Sequence, residues 1–559
     1  MIQPLTTKAT PASDPLLEVK DLTVTFQSES HIVRAVDRVS FTMQRGEILG
    51  LVGESGSGKT VTGMSLLRLI PCPPGKIEAG EIRFDGRDLL RLPMDQLRRV
   101  RGREIGVIFQ EPMTALSPLH PIGKQLVETQ LIHFPERSRR EAWQIGAEWL
   151  QKVGIPDAAE RMHAYPYQFS GGMRQRVMIA MTLMLEPKLI IADEPTTALD
   201  VTIQAQIFDL IMAMKRQETA ILFITHDMGV IWELCDRVMV MKDARLVESG
   251  EAEALFARPT NAYTRALLDA VPRLTDAGRP ATAPHPDGET ASSPLISVSD
   301  LRTWFPVKRG VWARTVGHVK AVDGVTLEIP KQTTYAVVGE SGSGKTTLGR
   351  SILGLEPIHS GRINFKDVCL SAMRSRQLQP LRRHLQMIFQ DPFSSLNPRH
   401  NIIDILTEGP RMHGLLHGDA DEWAARWLEE VGLSADMMYR YPHEFSGGQR
   451  QRICIARAMA LQPDFIVCDE AVSALDVTIQ AQVIELLMGL KEKFGLSYLF
   501  ISHDLSVVKR IADHVAVMRA GRIVEEGPVE QVIGDPQHDY TKQLLSAVPV
   551  PGDPTRRRR

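Results

Sequence analysis

Two copies of GESGSGKT, Gly53 to Thr60 and Gly339 to Thr346, carry the most specific chemistry in this chain. Glycines let a backbone curl until successive amides face one anion, and a following helix presents its positive end. In that pattern Lys59 and Lys345 reach the terminal phosphates, and the Thr60 and Thr346 hydroxyls can ligate Mg²⁺. The phosphate-contacting set is then Gly53, Ser55, Gly56, Gly58, Lys59 and Thr60, repeated as Gly339, Ser341, Gly342, Gly344, Lys345 and Thr346. A plain glycine turn before a helix is the bland alternative. It loses because short apolar strands, ILGLV (48–52) and TYAVV (334–338), feed both loops. Both segments are expected to bind a nucleoside triphosphate.

Downstream, each copy places an acidic pair after an apolar strand, Asp193-Glu194 after LIIAD and Asp469-Glu470 after FIVCD. The aspartate can hold Mg²⁺ and the glutamate can act as general base toward an attacking water. Acidic residues at strand ends are often only solvated exits, but the order relative to the phosphate loops favours the catalytic reading. A second apolar strand, ILFIT (221–225) or YLFIS (498–502), leads to His226 or His503. A histidine in that place is by itself more often structural. Both glutamates are present, so two hydrolytic sites are expected rather than one.

These strands are nearly continuous in apolar residues, as in a sheet covered on both faces, and helical patterns between them imply an α/β core. The stretches from about Glu111 to Tyr167 and Asp391 to His443 read as an inserted helical subdomain, with amphipathic runs such as EAWQIGAEWLQKVG and DEWAARWLEEVG. The 559 residues exceed one ordinary core and divide into 15–272, a Pro- and Gly-bearing linker at 273–294, 295–550, and a basic tail at 551–559. Arg556 to Arg559 are expected to form a solvated end, with contact to anionic lipid as the alternative. Lys plus Arg number 65 against 67 Asp plus Glu, so nothing attracts nucleic acid globally. The five cysteines lack metal-ligand spacing and suit a reducing compartment. Neither a secretion leader nor an apolar run long enough to span a bilayer is evident.

With FSGGM (169–173) and FSGGQ (445–449) ahead of the acidic pairs, the chain resembles the ATP-binding cassette (ABC) ATPases. Gln110 and Gln390 match that family's Q-loop, ALD at 198–200 and 474–476 its D-loop, and His226 and His503 its switch histidine. The resemblance covers nearly all of both halves. It implies two tandem P-loop domains, each a RecA-like α/β core with an antiparallel β subdomain and an inserted helical subdomain. It further implies Mg²⁺ held near Thr60, Gln110 and Asp193, and near Thr346, Gln390 and Asp469. In that family two cassettes close head to tail over ATP, so one loop would face Ser446, Gly447 and Gly448, and the other Ser170, Gly171 and Gly172. Met173 stands where the second copy has Gln449. Phe26 and Phe305 occupy the place of an adenine-stacking aromatic, although Leu22, Val24 and Phe26 also read as one apolar strand face.

Similar tails, RPTNAYTRALLDAVP (258–272) and DPQHDYTKQLLSAVP (535–549), resemble the oligopeptide and dipeptide importer ATPases. That resemblance implies two integral-membrane permeases and an extracytoplasmic solute-binding protein as partners, at the cytoplasmic face of the inner membrane. Cargo stays open among di- or oligopeptides, glutathione, nickel complexes, opines and peptide antibiotics. Residues 259–300 contain no Cys, so no iron–sulfur cluster is expected. The competing class is a soluble two-cassette ATPase acting on ribosome or nucleic acid. Such proteins carry a long charged helical linker, unlike the Pro-bearing segment here.

Overall fold

In the computed structural model, which describes residues 14–27, 32–196, 200–272, 293–309, 314–473 and 475–557, the apolar pentapeptides become the buried centre of two mostly parallel sheets. Ile48–Val52, Leu189–Asp193 and Ala220–Ile224 are buried at every position, as are Thr334–Val338, Phe465–Asp469 and Ser497–Ile501. The last strand of each triplet begins one residue earlier than its sequence pattern suggested. Most of the linker, 273–292, lies outside the described residues.

The chain divides into two compact units, and each repeats one architecture. In the first, a six-stranded sheet runs in the spatial order Arg245–Glu251, Arg237–Lys242, Ile48–Val52, Ala220–Ile224, Leu189–Asp193, Ile105–Ile108. All neighbours are parallel except the antiparallel pair at the Arg245–Glu251 edge. Beside it stands a four-stranded antiparallel sheet, Ile32–Met43, Leu17–Gln27, Gly75–Phe84 and Arg87–Asp88. The second unit repeats both sheets, with Leu385–Ile388, Phe465–Asp469, Ser497–Ile501, Thr334–Val338, His514–Arg519 and Arg522–Pro528 in the larger one.

Helices insert between the edge strand and the signature segment, as the amphipathic runs implied. Ser138 caps Arg139–Lys152 by accepting from the Glu141 N–H, and Asn401 caps Ile402–Met412 by accepting from that of Asp404. Trp427 is fully buried in the second of these subdomains, where it meets Phe494 with ring centroids 5.8 Å apart. Trp427→Ala is expected to cost about 3–5 kcal/mol, read as a fall in the denaturant midpoint of the unit.

Residues 549–557 pack with the first unit. Arg557, expected in a solvated end, instead has a side chain only 10% exposed and an ion pair with Glu253. Its guanidinium donates to the Cys235 carbonyl at 2.7 Å and lies over the Trp232 ring, whose Nε1–H donates to the Asp553 carbonyl at 2.8 Å. Stacking and a bidentate-capable fork hold an arginine where a lysine would stay hydrated. Arg558 and Arg559 lie outside the described residues. Among the described residues, no helix is long and apolar enough to cross a membrane.

Candidate active sites

Four chain segments leave the carboxyl ends of adjacent parallel strands and meet there, the usual place for a ligand in an open α/β sheet. Ile48–Val52 delivers the loop at Gly53, Ile105–Ile108 delivers Gln110, Leu189–Asp193 delivers Glu194, and Ala220–Ile224 delivers His226. Register brings these ends level, because Ile224 pairs with Asp193 on one side and with Leu51 on the other.

Lys59 Nζ donates to the Gly53 and Glu54 carbonyls, both at 2.8 Å, and Thr60 Oγ1 donates to Asp193 Oδ1 at 3.0 Å. Gln110 Nε2 donates to Glu194 Oε2 at 2.9 Å, while His226 Nδ1 lies 3.2 Å from Glu194 Oε1. The second unit reproduces each contact. Lys345 donates to Gly339 O and Glu340 O at 2.8 and 2.9 Å, and Thr346 to Asp469 at 2.8 Å. Gln390 donates to Glu470 at 2.7 Å, with His503 Nδ1 3.5 Å from the same carboxylate. A cavity of about 310 Å³ in that unit is lined by Gly344, Lys345, Thr346, Gln390, Glu470 and His503.

Both glutamates sit in left-handed backbone, with φ of 44° at Glu194 and 47° at Glu470. Side chains other than glycine pay for that conformation by roughly 1–3 kcal/mol, and it persists where surroundings enforce it, often at functional sites. Here the neighbouring strand enforces it. The Glu194 N–H donates to the Ile224 carbonyl at 2.8 Å, and the Glu470 N–H to that of Ile501 at 2.9 Å. Asp227 and Asp504 then cap the helices that begin immediately after each histidine.

Burial dominates the electrostatics. It raises Asp193 to about 6, against the Thr60 hydrogen bond and the Lys59 charge, with Glu194 adding to the rise. Asp469 moves in the same direction for the same leading reason. Burial also pulls Glu470 upward, but the His503 hydrogen bond and charge, helped by Lys345, hold it below the ordinary carboxylate range. His503 is correspondingly raised by Glu470 despite its own desolvation. Burial lowers Lys345. An ammonium resting on neutral carbonyls suits an arriving polyanion, and a buried carboxyl beside a hydroxyl suits a divalent cation. The residues therefore fit ATP and Mg²⁺.

An acid whose pKa is higher in the folded state loses stability on ionising. For Asp193 that loss is absent below the unfolded value near 4, grows as pH rises toward 6, and is complete above it. Asp193→Asn is expected to stabilise the nucleotide-free protein by on the order of 1–3 kcal/mol at pH 7.5 and roughly half that at pH 5, read by thermal melts.

Within each unit, the hydrogen bonds just described do not include that unit's signature residues. Ser170 and Ser446 are exposed and cap their own helices, Gly171–Leu183 and Gly447–Met459, by accepting from the N–H of Met173 and Gln449. Gly171, Gly172, Gly447 and Gly448 form the exposed to half-buried first turns. Gln449 returns the bond, its Oε1 accepting the Ser446 N–H at 3.1 Å. Met173 lacks an acceptor for the same purpose and packs on the helical subdomain. Phe26 is half-buried on the core of the first unit, against Gly75. Phe305 is 36% exposed, whereas its neighbour Trp304 stacks on His359 at 4.3 Å. Of the D-loops, residues 198, 199 and 474 lie outside the described residues.

Sequence reasoning missed two tyrosines. The Glu54 N–H donates to the Tyr263 hydroxyl at 3.2 Å and the Glu340 N–H to that of Tyr540 at 3.1 Å. The one available signal was the shared Tyr-Thr in the two tails.

Residues 36–197 and 322–473 match the family model described as ABC transporter, and 247–293 and 524–559 match that described as oligopeptide/dipeptide transporter, C-terminal region. The chain is 50% identical to the peptidoglycan transport ATP-binding protein YejF of Agrobacterium fabrum, over 96% of each chain. It is 46% identical to the glutathione import ATP-binding protein GsiA of Escherichia coli O157:H7, over 98% of this chain and 92% of that one. The corresponding GsiA of Salmonella choleraesuis is also 46% identical, over 98% and 91%. With two cassettes of this architecture, each followed by an oligopeptide-type tail, the chain belongs to the ABC transporter family of ATPases.

Proposed function

We propose that this chain hydrolyses ATP to drive the import of peptides or related small solutes through partner permeases. The observation that carries the reading is the duplicated constellation: a phosphate loop, a Thr–Asp pair and a glutamate bridged by glutamine and histidine, in each unit. Glu194 and Glu470 accept the proton of the attacking water, and their carboxylates are aimed by Gln110 and Gln390. His226 and His503 orient the same carboxylates and reach toward the γ-phosphate. Thr60 with Asp193, and Thr346 with Asp469, hold Mg²⁺, which when bound neutralises charge on the phosphates. Gln110 and Gln390, which donate to Glu194 and Glu470, would also contact that ion, as the family resemblance implies. Phe26 and Phe305 flank the adenine.

Completion of each site by Ser446 or Ser170 with its glycines, as the family resemblance implies, makes ATP binding stabilise one arrangement over another. Only such differential affinity can move a gate. The partners are two integral-membrane permeases and an extracytoplasmic solute-binding protein, with the chain peripheral at the cytoplasmic face of the inner membrane. The relatives' names, peptidoglycan transport and glutathione import, support a peptide-like cargo.

Coexpression with candidate pairs of multi-span permeases tests the reading. The expected result is copurification, with ATPase activity in liposomes stimulated by a loaded solute-binding protein and a peptide panel. Hydrolysis that ignores permease and binding protein, yet rises with RNA or ribosomes, sinks it.

A further inference from the structure

The tail after each core reaches back to the phosphate loop through one hydroxyl. Tyr263 lies in the helix Ala262–Ala270 and Tyr540 in the helix Asp539–Ala547. Each accepts the N–H of the loop's second residue, Glu54 at 3.2 Å or Glu340 at 3.1 Å. The carbonyl of that same residue receives the loop lysine, Lys59 at 2.8 Å or Lys345 at 2.9 Å. It also receives a turn amide, that of Ser57 or Ser343, at 3.1 Å in both loops. One loop residue is therefore held on both its polar groups, by the tail on one and by the phosphate-binding lysine on the other.

The tails are built to aim that hydroxyl. In the first unit Glu248 accepts from the Thr260 N–H and hydroxyl, both at 2.7 Å, and from the Asn261 N–H at 3.1 Å. Asn261 Oδ1 in turn accepts from the Tyr263 N–H at 2.8 Å. In the second unit Glu525 accepts from the N–H groups of Gln537 at 2.7 Å and His538 at 3.1 Å, and His538 Nδ1 accepts from that of Tyr540 at 3.1 Å. The intermediate residues differ, Thr-Asn against Gln-His, but the chain of bonds is the same. A cation rides on each ring, Lys242 at 4.5 Å and Arg519 at 4.7 Å. Identical geometry from different residues argues that the endpoint, the tyrosine on the loop amide, is what both tails preserve.

We propose that Tyr263 and Tyr540 are positioning residues for ATP binding, through which the oligopeptide-type C-terminal region holds each phosphate loop in its receptive shape. This rests on the reading that both loops bind ATP. A loop held ready saves the ordering cost at the moment of binding. The benefit applies equally to ground and transition states, so it belongs in affinity rather than in turnover.

Tyr263→Phe and Tyr540→Phe, singly and together in the full-length chain, test the assignment, because phenylalanine keeps the ring and its cation contact while removing the hydroxyl. Dissociation constants for a fluorescent ATP analogue, KM and kcat for ATP, and Tm are measured on each. The double variant is expected to bind about three- to tenfold more weakly, with KM raised alike, kcat within about twofold of wild type and little change in Tm. Each single variant should give a two-phase titration, one phase at wild-type affinity. Unchanged affinity in the double variant overturns the proposal. So does lower kcat and Tm at unchanged KM, the mark of a merely structural contact. Wild-type protein that fails to bind ATP, or binds it as well after Lys59→Ala and Lys345→Ala, overturns the ATP reading and this one together.

Discussion

The chain carrying Glu194→Gln and Glu470→Gln together is expected to hydrolyse ATP at least about a hundredfold more slowly while binding it as tightly as wild type. Each carboxylate is acceptor-only and sits between a glutamine amide at 2.9 or 2.7 Å and a histidine nitrogen at 3.2 or 3.5 Å. Glutamine keeps the shape and can still bond its neighbours, but it cannot take a proton from water. The left-handed backbone at both positions is no worse for glutamine than for glutamate, so folding is preserved. Steady-state phosphate release and equilibrium nucleotide binding measure the two halves of the prediction. Unchanged hydrolysis in the double variant removes the general-base role. The single variants are informative as well: a loss of about half means independent sites, and a near-complete loss from either means that the two turn over together.

Alanine at Gly58 or Gly344 is expected to abolish nucleotide binding and to cost at least about 3 kcal/mol of stability. These residues have φ of 99° and 106° and immediately precede the helices that begin at Lys59 and Lys345. A Cβ at Gly58 would lie 2.1 Å from the Ala35 carbonyl oxygen, and one at Gly344 would lie 2.0 Å from that of Ala321. Both obstacles are backbone of the antiparallel sheet, so relief requires the loop itself to move. Gly56 is the control. Its φ of 77° is also left-handed, but a Cβ there meets nothing within 4 Å. Gly56→Ala should therefore cost only about 1–2 kcal/mol and leave a folded loop. Thermal melts with and without ATP separate the cases, and equal behaviour of the Gly56 and Gly58 variants contradicts the steric argument.

Much of the candidate site was legible because its signals are local. A glycine loop between an apolar strand and a helix, and an acidic pair closing a later apolar strand, need only their own neighbours to be recognised. Leu189–Asp193 and Phe465–Asp469 were readable as buried strands since continuous apolarity leaves no face for water. The helical insertions followed from amphipathic spacing in the same way. The aromatic platform was less legible: alternation in Leu22, Val24 and Phe26 serves a strand face and a stacking ring equally well, and Phe26 does pack on the core. Arg557 was misjudged because a terminal run of arginines looks solvated until Trp232 and the Cys235 carbonyl are known to lie beneath it.

What the residues determined alone was therefore the duplicated architecture, the loops, the acidic pairs and the histidines, each encoded within a few positions of itself. Tertiary structure alone decided that Gln110 and His226 share one carboxylate, that Glu194 is held left-handed by Ile224, and that Asp193 is pushed to about 6. It alone joined Glu54 to Tyr263, 209 positions apart, and Glu340 to Tyr540, 200 apart. The physical reason is strand order. Ile48–Val52 lies between Ala220–Ile224 and Arg237–Lys242, and Thr334–Val338 between Ser497–Ile501 and His514–Arg519, in each case strands remote from it in the chain, and burial, strain and hydrogen-bond partners depend on which strands lie side by side.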